Sequence, residues 1–522
     1  MVSFGSVPRV DALAQTVHDE ALHPPGLLPP SVMDLVARDE SVGFADRFSA
    51  QLESGWHPRE AELLLANKAG KGLRPLTVLP LEERVVLRAL RDALGEHGLS
   101  DNRDRDAYVR MERGPVDAQG VEFVVEADVA AFYDYVDHEV LAHELVALTG
   151  DAELAQQVRK VLGSVLDRDF GLPQVHVGSD LLSELVIDKV DRALRRAGVP
   201  VWRFNDDFRL GAATEADAQQ AIELLHHECR RIGLTVNDDK TFRRPQAEYQ
   251  RVVGQFAATW QTIVDEVDAD LSGSEFDVDF DEIYDDVAAW EQPDDEPQQD
   301  AIDEDESEAQ AEQRRVETAL RALNYWHERM TAPDVSPSEK VALRRLLLRA
   351  TTYLWGAGHP IPGPTARLIL ERAPLYTRQV VRVASRATAE DVEPLLEDIL
   401  QRHLDGTLTL SSWQQLWLSH IPRVHRLASR PVPQRWLQQL AARQQPLIAA
   451  AADFALAQEG LGDPQALARK FTTAGTIERP ELLAAIHMLE PASDLGQSIL
   501  RDDPYGDLIG QWARQRRSVT EP

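Results

Sequence analysis

The chain is poor in the features that would place it in a membrane or an oxidising compartment. No window of its 522 residues approaches the roughly 20 uninterrupted apolar positions a membrane helix requires. The N-terminus (MVSFGSVPRVDALAQ) lacks the charged-then-apolar order of a secretory leader. Both absences predict a cytoplasmic protein with no membrane partner. One cysteine, Cys229, excludes intramolecular disulfides and any zinc site built from several thiolates. On its apolar helical stretch it reads as a small core residue.

Basic residues are missing altogether between Asp265 and Glu312, a window with 22 acids that supplies −22 of the net charge of −32. Overall charge is therefore a poor guide to partners, because it is patterned by region. Between Gln313 and Gln445 there are 19 Lys or Arg against 11 Asp or Glu, a bias that suits a DNA or RNA path. The acidic window is low in aromatics and rich in Gln, Ser and Pro towards its end, so it is expected to be a disordered linker. Its earlier part (VDFDEIYDDVAAW) carries enough apolar residues to dock, and an acidic helix there could mimic nucleic acid and shield a basic groove.

The length suggests roughly three domains. Residues 1 to about 60 carry helical periodicity broken by Pro-rich turns. Lys68, Lys71 and Arg74 then sit on a glycine-containing loop, where cations can close around a triphosphate. Lys71 is followed by Gly72, so this is not a Walker-type phosphate loop. A short apolar strand (Leu76 to Leu79) and an amphipathic helix with Arg84 and Arg88 follow. From Val121 to Asp128 apolar residues alternate with glutamates, which predicts a half-buried strand ending in Asp128. Phe132 and Tyr133 come next, before a helix that starts near His138. Gly171-Leu172-Pro173-Gln174 is a turn feeding a helix, with Leu182, Leu185, Val186, Val190 and Ala193 on one face. In VPVWRFNDDFRLGAA the pair Asn205-Asp206 falls between apolar runs, and Asn and Asp tolerate the positive φ of tight hairpins. A helix of about 215 to 232 and the tail GLTVNDDKT, with Lys240 and Thr241, complete the region. Beyond residue 313 helix follows helix, as in solenoids or in a compact bundle.

Taken one at a time these signals are those of turns, caps and solvated loops. In this order and spacing they resemble the fingers and palm of reverse transcriptases, from about Trp56 to Thr241. The resemblance implies an α+β right-hand polymerase fold, followed here by an all-α helical-repeat (HEAT-like) or bundle region. It implies fingers and N-terminal helices over 1–120, a palm over 121–262, a linker over 263–312 and a helical domain over 313–522. It also implies RNA-directed DNA polymerase activity with two Mg²⁺ ions, held at Asp128, Val129, Asp206 and Asp207. Carboxylates suit this hard cation, whose paired ions serve the primer hydroxyl and the triphosphate.

By the same resemblance Lys68, Lys71 and Arg74 grip the triphosphate and Lys240 protonates the leaving pyrophosphate. Tyr133, with Phe132 beside it, crowds a ribose 2′-hydroxyl, and Gln174 supports the nascent base pair. Three positions depart from the usual pattern: Val175 replaces a glycine, Phe204 a tyrosine and Asn205 commonly an alanine. A helical domain in place of a nuclease looks like the bacterial antiphage, abortive-infection reverse transcriptases. Some of those start DNA without a template from a protein hydroxyl, for which Tyr325, Tyr353 and Tyr376 are candidates. Expected partners are deoxynucleoside triphosphates, RNA or DNA, a non-coding RNA and further copies of the chain. A second reading stays open, in which the palm binds nucleic acid without synthesis and the helical region is the working surface.

Overall fold

The computed structural model describes residues 10–68, 72–101, 103, 105–254, 262, 308–443, 445–490 and 503–518. Three helices open it: α1 (Val10–Leu22), α2 (Val32–Asp39) and α3 (Ser41–Glu53). The Ser31 hydroxyl accepts from the Asp34 N–H, and the Asp34 carboxylate accepts in return from the Ser31 N–H, a reciprocal cap that starts α2 just after the prolines. β1 (Glu62–Asn67) and β2 (Leu73–Val78) form an antiparallel hairpin. Lys71, one of the expected triphosphate ligands, lies outside the described residues.

α4 (Leu81–Glu96) and α5 (Arg105–Asp117) lead into β3 (Phe123–Asp128). The helices α6 (Phe132–Tyr135), α7 (His138–Thr149), α8 (Ala152–Leu166) and α9 (Val177–Arg196) follow. Next come β4 (Val201–Phe204), β5 (Asp207–Ala212), α10 (Glu215–Arg231) and β6 (Phe242–Pro245). The sheet order is β4-β5-β3-β6 with every pair antiparallel. Asp137, Asp151 and Thr214 accept from the first N–H groups of α7, α8 and α10. Gly150 and Gly233, both at positive φ, end two of these helices.

Expected to be half-buried, β3 is in fact covered on both faces. Val125 and Ala127 enter one core, while Val124 packs with Val121 and Tyr249 in another. The reason is its central place: β5 and β6 flank it, and chain segments cover each side. Ala193, expected on the buried face of α9, is only partly buried, and Leu194 is the enclosed residue there.

The acidic stretch from residue 263 to residue 307, expected to be disordered, lies outside the described residues. Its last five residues, Glu308 to Glu312, are not linker but the start of α11 (Glu308–Thr331). The helices α12 (Pro337–Gly356), α13 (Gly363–Arg372), α14 (Thr377–Arg386) and α15 (Ala389–Leu404) follow. The chain continues through α16 (Ser412–Leu418), α17 (His420–His425), α18 (Pro431–Ala441) and α19 (Pro446–Ala457). It finishes with α20 (Pro464–Thr473), α21 (Arg479–Leu489) and α22 (Gly506–Ser518). The fold class is thus α+β followed by an all-helical region.

These helices do not extend away as an open stack. Phe454, Leu483, Ile486 and Ile509 share one core with Val36, Phe44 and the sheet, and the β1–β2 hairpin shares another with Trp326, Leu396 and Trp413. Polar contacts pin the same junctions. Trp413 and Trp417 both donate to the Leu27 carbonyl, at 2.6 and 3.1 Å. Glu481 accepts from the Val32 N–H at 2.9 Å, and Gln51 donates to the Tyr505 hydroxyl at 2.9 Å. Arg84, read from sequence only as a residue of an amphipathic helix, is buried and paired with Asp34 and Glu20.

Candidate active site at the β3–β5 strand ends

Three aspartates come together because a strand end and a hairpin tip are held side by side. Asp128 and Asp207 are directly opposite in the β3–β5 ladder. β4 and β5 are joined by Asn205 and Asp206 alone, since Phe204 pairs with Asp207. Asn205 takes the positive φ the tip requires, +51°. The tip is tied back to β3 where the Val129 N–H donates to the Asp206 carbonyl at 3.2 Å. The GLTVNDDKT tail reaches the same place: the Asn237 N–H donates to the Asp128 carbonyl at 2.7 Å. Asn237 Nδ2 then donates to Asp128 Oδ2 at 3.1 Å, and Lys240 Nζ to Asp128 Oδ1 at 2.9 Å.

Burial and the crowding of like charges shift the protonation of these groups. Burial and the Asp128 charge push the Asp206 carboxyl up to about 6. Burial and the Asp206 charge push the Asp207 carboxyl up to about 8, against the pull of Arg209. Burial works against the Lys240 ammonium, but its bond to Asp128 and the three carboxylate charges outweigh it and raise its pKa. Lys68 moves the other way: burial, then the Arg74 and Lys240 cations, lower its pKa. Lys68 is therefore within electrostatic reach of the aspartates, and Arg74 stands on β2 beside it, paired with Ala66.

Tyr133 is half-buried, its ring edge-on to Phe132 with centroids 5.7 Å apart. Its hydroxyl donates to Asp180 Oδ1 at 2.5 Å. The Gly171 turn packs on the same segment, the Leu172 N–H donating to the Tyr133 carbonyl at 2.7 Å. Gln174 Nε2 donates to Asp134 Oδ1 at 3.1 Å. So the structure brings Asp128, Val129, Asp206, Asp207, Lys240 and Lys68 into one neighbourhood, and it ties Phe132, Tyr133 and Gln174 together beside it.

Sequence reasoning missed Arg103. Its guanidinium pairs with Asp180 at 2.7 Å, bonds Ser183 Oγ at 3.2 Å and Asn205 Oδ1 at 2.9 Å, and also bonds the Tyr133 hydroxyl. One planar fork thus locks the tyrosine, α9 and the hairpin tip. In sequence it stands in an acidic, turn-like run (SDNRDRD) with no periodicity, and its partners are 30 or more residues away. It also accounts for one departure from the usual pattern, because only a polar side chain at 205 can accept that bond. Phe204 packs edge-on against Tyr108, centroids 5.4 Å apart, a contact that needs no hydroxyl. Val175 adopts φ +63°, a region where a glycine is at ease and a β-branched residue is not.

Among the described residues no group of three or more His, Cys, Asp or Glu stands ready to hold a metal ion by itself. The donor set nonetheless suits a hard cation. Two carboxyls raised by burial and by neighbouring negative charge, with an ammonium on the third, are groups that a positive ion would relieve.

Comparison with known proteins agrees with the geometry. Residues 66–251 match the family described as reverse transcriptase (RNA-dependent DNA polymerase). A search of curated proteins finds no match. Among solved structures, apo telomerase from Candida tropicalis shows 12% identity and a TM-score of 0.30, covering 76% of this chain and 69% of that one. Telomerase from Candida albicans in complex with the TWJ fragment of telomeric RNA shows 10% identity and a TM-score of 0.29, covering 77% and 62%. Scores this low carry no argument about the chain as a whole. The matched segment holds all three aspartates, Lys240 and the β1–β2 loop, so over residues 66–251 the chain carries a reverse transcriptase domain, the domain of RNA-directed DNA polymerases among the nucleotidyltransferases.

Proposed function

We propose that the chain adds deoxynucleotides to a growing strand at the β3–β5 strand ends, with Asp128, Asp206 and Asp207 as the carboxylates that hold Mg²⁺. The observation that carries this reading is the direct pairing of Asp128 with Asp207 beside Asp206, where burial and then neighbouring carboxylate charge raise the Asp206 and Asp207 carboxyls. Mg²⁺ commonly uses one or two carboxylates and takes its other ligands from phosphate and water, which suits a site without a preformed cage. Bound there, the ions supply activation of the primer hydroxyl and charge neutralisation at the triphosphate.

The protein's own side chains do the rest. Lys68 and Arg74, with Lys71, grip the triphosphate from the hairpin. Lys240, kept protonated by Asp128, hands a proton to the leaving pyrophosphate. Tyr133, locked by Arg103 and Asp180, stands against a ribose 2′-hydroxyl and so favours deoxynucleotides. Gln174 steadies the base pair.

The joined helical region supports a role in bacterial antiviral defence, with synthesis started on a template or on a protein hydroxyl. Tyr376 is 3% exposed and drops out as a priming residue. Tyr325 and Tyr353 are partly exposed.

The test is incorporation of labelled deoxynucleotides by purified protein with Mg²⁺, with and without template and primer, against an Asp206→Ala, Asp207→Ala double variant. Template-dependent product means ordinary reverse transcription. Product attached to protein without a template means protein priming. No product under any condition, added cellular RNA included, overturns the polymerase reading in favour of a nucleic-acid-binding scaffold.

A further inference from the structure

A second concavity lies away from the aspartates, where the Pro-rich loop after α1 meets α4, the start of α9, and α14. The described residues lining it include five arginines, Arg38, Arg88, Arg378, Arg382 and Arg386, and no Asp or Glu. In a chain of net charge −32, such a concentration of one cation in one cleft is a departure that asks for a reason. Arg378, Arg382 and Arg386 follow one another at intervals of four on α14, so they share a face of that helix. Arg88 is partly committed, bonding Glu20 at 2.7 Å. Arg38 and Arg386 are exposed.

The cleft also carries a flat aromatic. The guanidinium carbons of Arg382 and Arg386 each lie 4.5 Å from the centre of the Trp355 ring. Stacking on an indole uses the face of a guanidinium, whereas phosphate is recognised by its N–H edge. Arginines interleaved with an aromatic along a groove are the chemistry that tracks a single nucleic-acid strand, phosphates on the cations and bases against π-faces. An acidic peptide would satisfy the charge but would have no use for the indole.

Position supports the same occupant. Val175 and Val177 stand on the wall of the cleft, one residue and three residues after Gln174. The groove therefore reaches the residues that follow Gln174, whose side chain bonds Asp134. Of the residues lining it, only Arg88, Val175 and Val177 fall within the matched segment 66–251. The remainder comes from the N-terminal loop and the helical region.

We propose that this cleft binds a single nucleic-acid strand by its phosphodiester backbone, at a site separate from that of nucleotide addition. The site does not depend on the chain being an active polymerase. The test measures fluorescence anisotropy of labelled 20-mer oligo(U) and oligo(dT) across a salt series, for the full chain and for an Arg38→Glu, Arg386→Glu variant. Both positions are exposed, so the fold should survive, and melting temperature checks it. Each phosphate contact in a single strand contributes about 0.7 to the slope of log K against log salt. Loss of two contacts should lower the slope by about 1.4 and weaken binding roughly 20-fold near 0.1 M salt. Trp355→Ala should weaken binding with the slope unchanged. The relative loss for oligo(U) and oligo(dT) tells whether RNA or DNA is the preferred strand. Unchanged affinity and slope in a folded variant overturns the proposal. So does equal binding of poly-glutamate that is lost in the same variant, which assigns the cleft to an acidic polypeptide. Repeating the series in the Asp206→Ala, Asp207→Ala background keeps failure of synthesis separate from failure of this site.

Discussion

At the scale of single residues, Asp206 and Asp207 are held where their charged forms destabilise the fold that carries them. The Asp207 carboxyl rises from 3.8 to about 8. Within that window the folded chain keeps a proton that the unfolded chain has lost, so stability falls as pH rises from about 4 to about 8. Asp207→Asn should therefore be more stable than the parent above pH 8, by roughly 0.5–2 kcal/mol, and nearly equal to it near pH 4. Thermal melts across that range check this, and a parent whose stability rises with pH over the same window would contradict it.

Val175 poses a different trade at this scale. Its left-handed backbone costs about 1–2 kcal/mol, while its buried side chain contributes about 1.5–3 kcal/mol. Val175→Gly relieves the first and forfeits the second. Val175→Ala keeps the Cβ that causes the strain and still loses methyl contacts. The glycine variant should accordingly be the more stable of the two, by about 1 kcal/mol in chemical denaturation. Val175 was legible in the sequence as an unusual residue after Gln174, but its φ was not. Arg103 was not legible at all, because a residue's value as a clamp depends on partners that only the fold brings near.

At the scale of elements, alternation, helical periodicity and turn residues placed β3, the Asn205-Asp206 tip, α7, α9 and α10 correctly, and left α8 unread. What they could not give was which elements touch. α16 packs on β1, and its cap residue Ser411, which accepts from the Gln414 N–H, also donates to Asn67 Oδ1 at 2.6 Å. Asn67 precedes Lys68, so this contact steadies the base of the hairpin loop. Ser411→Ala removes both the cap and the tether, at a cost of roughly 0.5–2 kcal/mol. If the hairpin grips the triphosphate, the variant should raise KM for deoxynucleotides several-fold with a smaller change in kcat. Steady-state kinetics would show it, and an unchanged KM would mean that the loop is held by other contacts.

At the scale of the whole molecule, early and late elements of the described chain meet. Glu62 on β1 faces Glu478 at the start of α21. Burial, a hydrogen bond to Glu478 and the Glu478 charge push the Glu62 carboxyl up to about 8. The shared proton is present in the fold at pH values where the unfolded chain has lost it, so this junction also loses stability as pH rises from about 4.5 to about 8. Glu62→Gln keeps a donor without the charge and should flatten that part of the stability curve, with the gain in melting temperature confined to the alkaline side. An equal gain at pH 4 would point to packing instead of charge.

The sequence by itself determined the aspartate constellation, the strand and hairpin tip that carry it, several of the helices around it and the family they resemble. Those features are written in local spacing, strand alternation and turn chemistry, all of which act over a few residues. Tertiary structure alone decided that Arg103 locks the tyrosine and hairpin tip, that Asn237 and Lys240 seat on Asp128, and that five arginines line one cleft with Trp355. It also decided that the last helices return to share a core with the first. Such contacts join residues tens to hundreds of positions apart, and they form because buried apolar surface and paired charges are satisfied together in space, with no trace in the spacing along the chain.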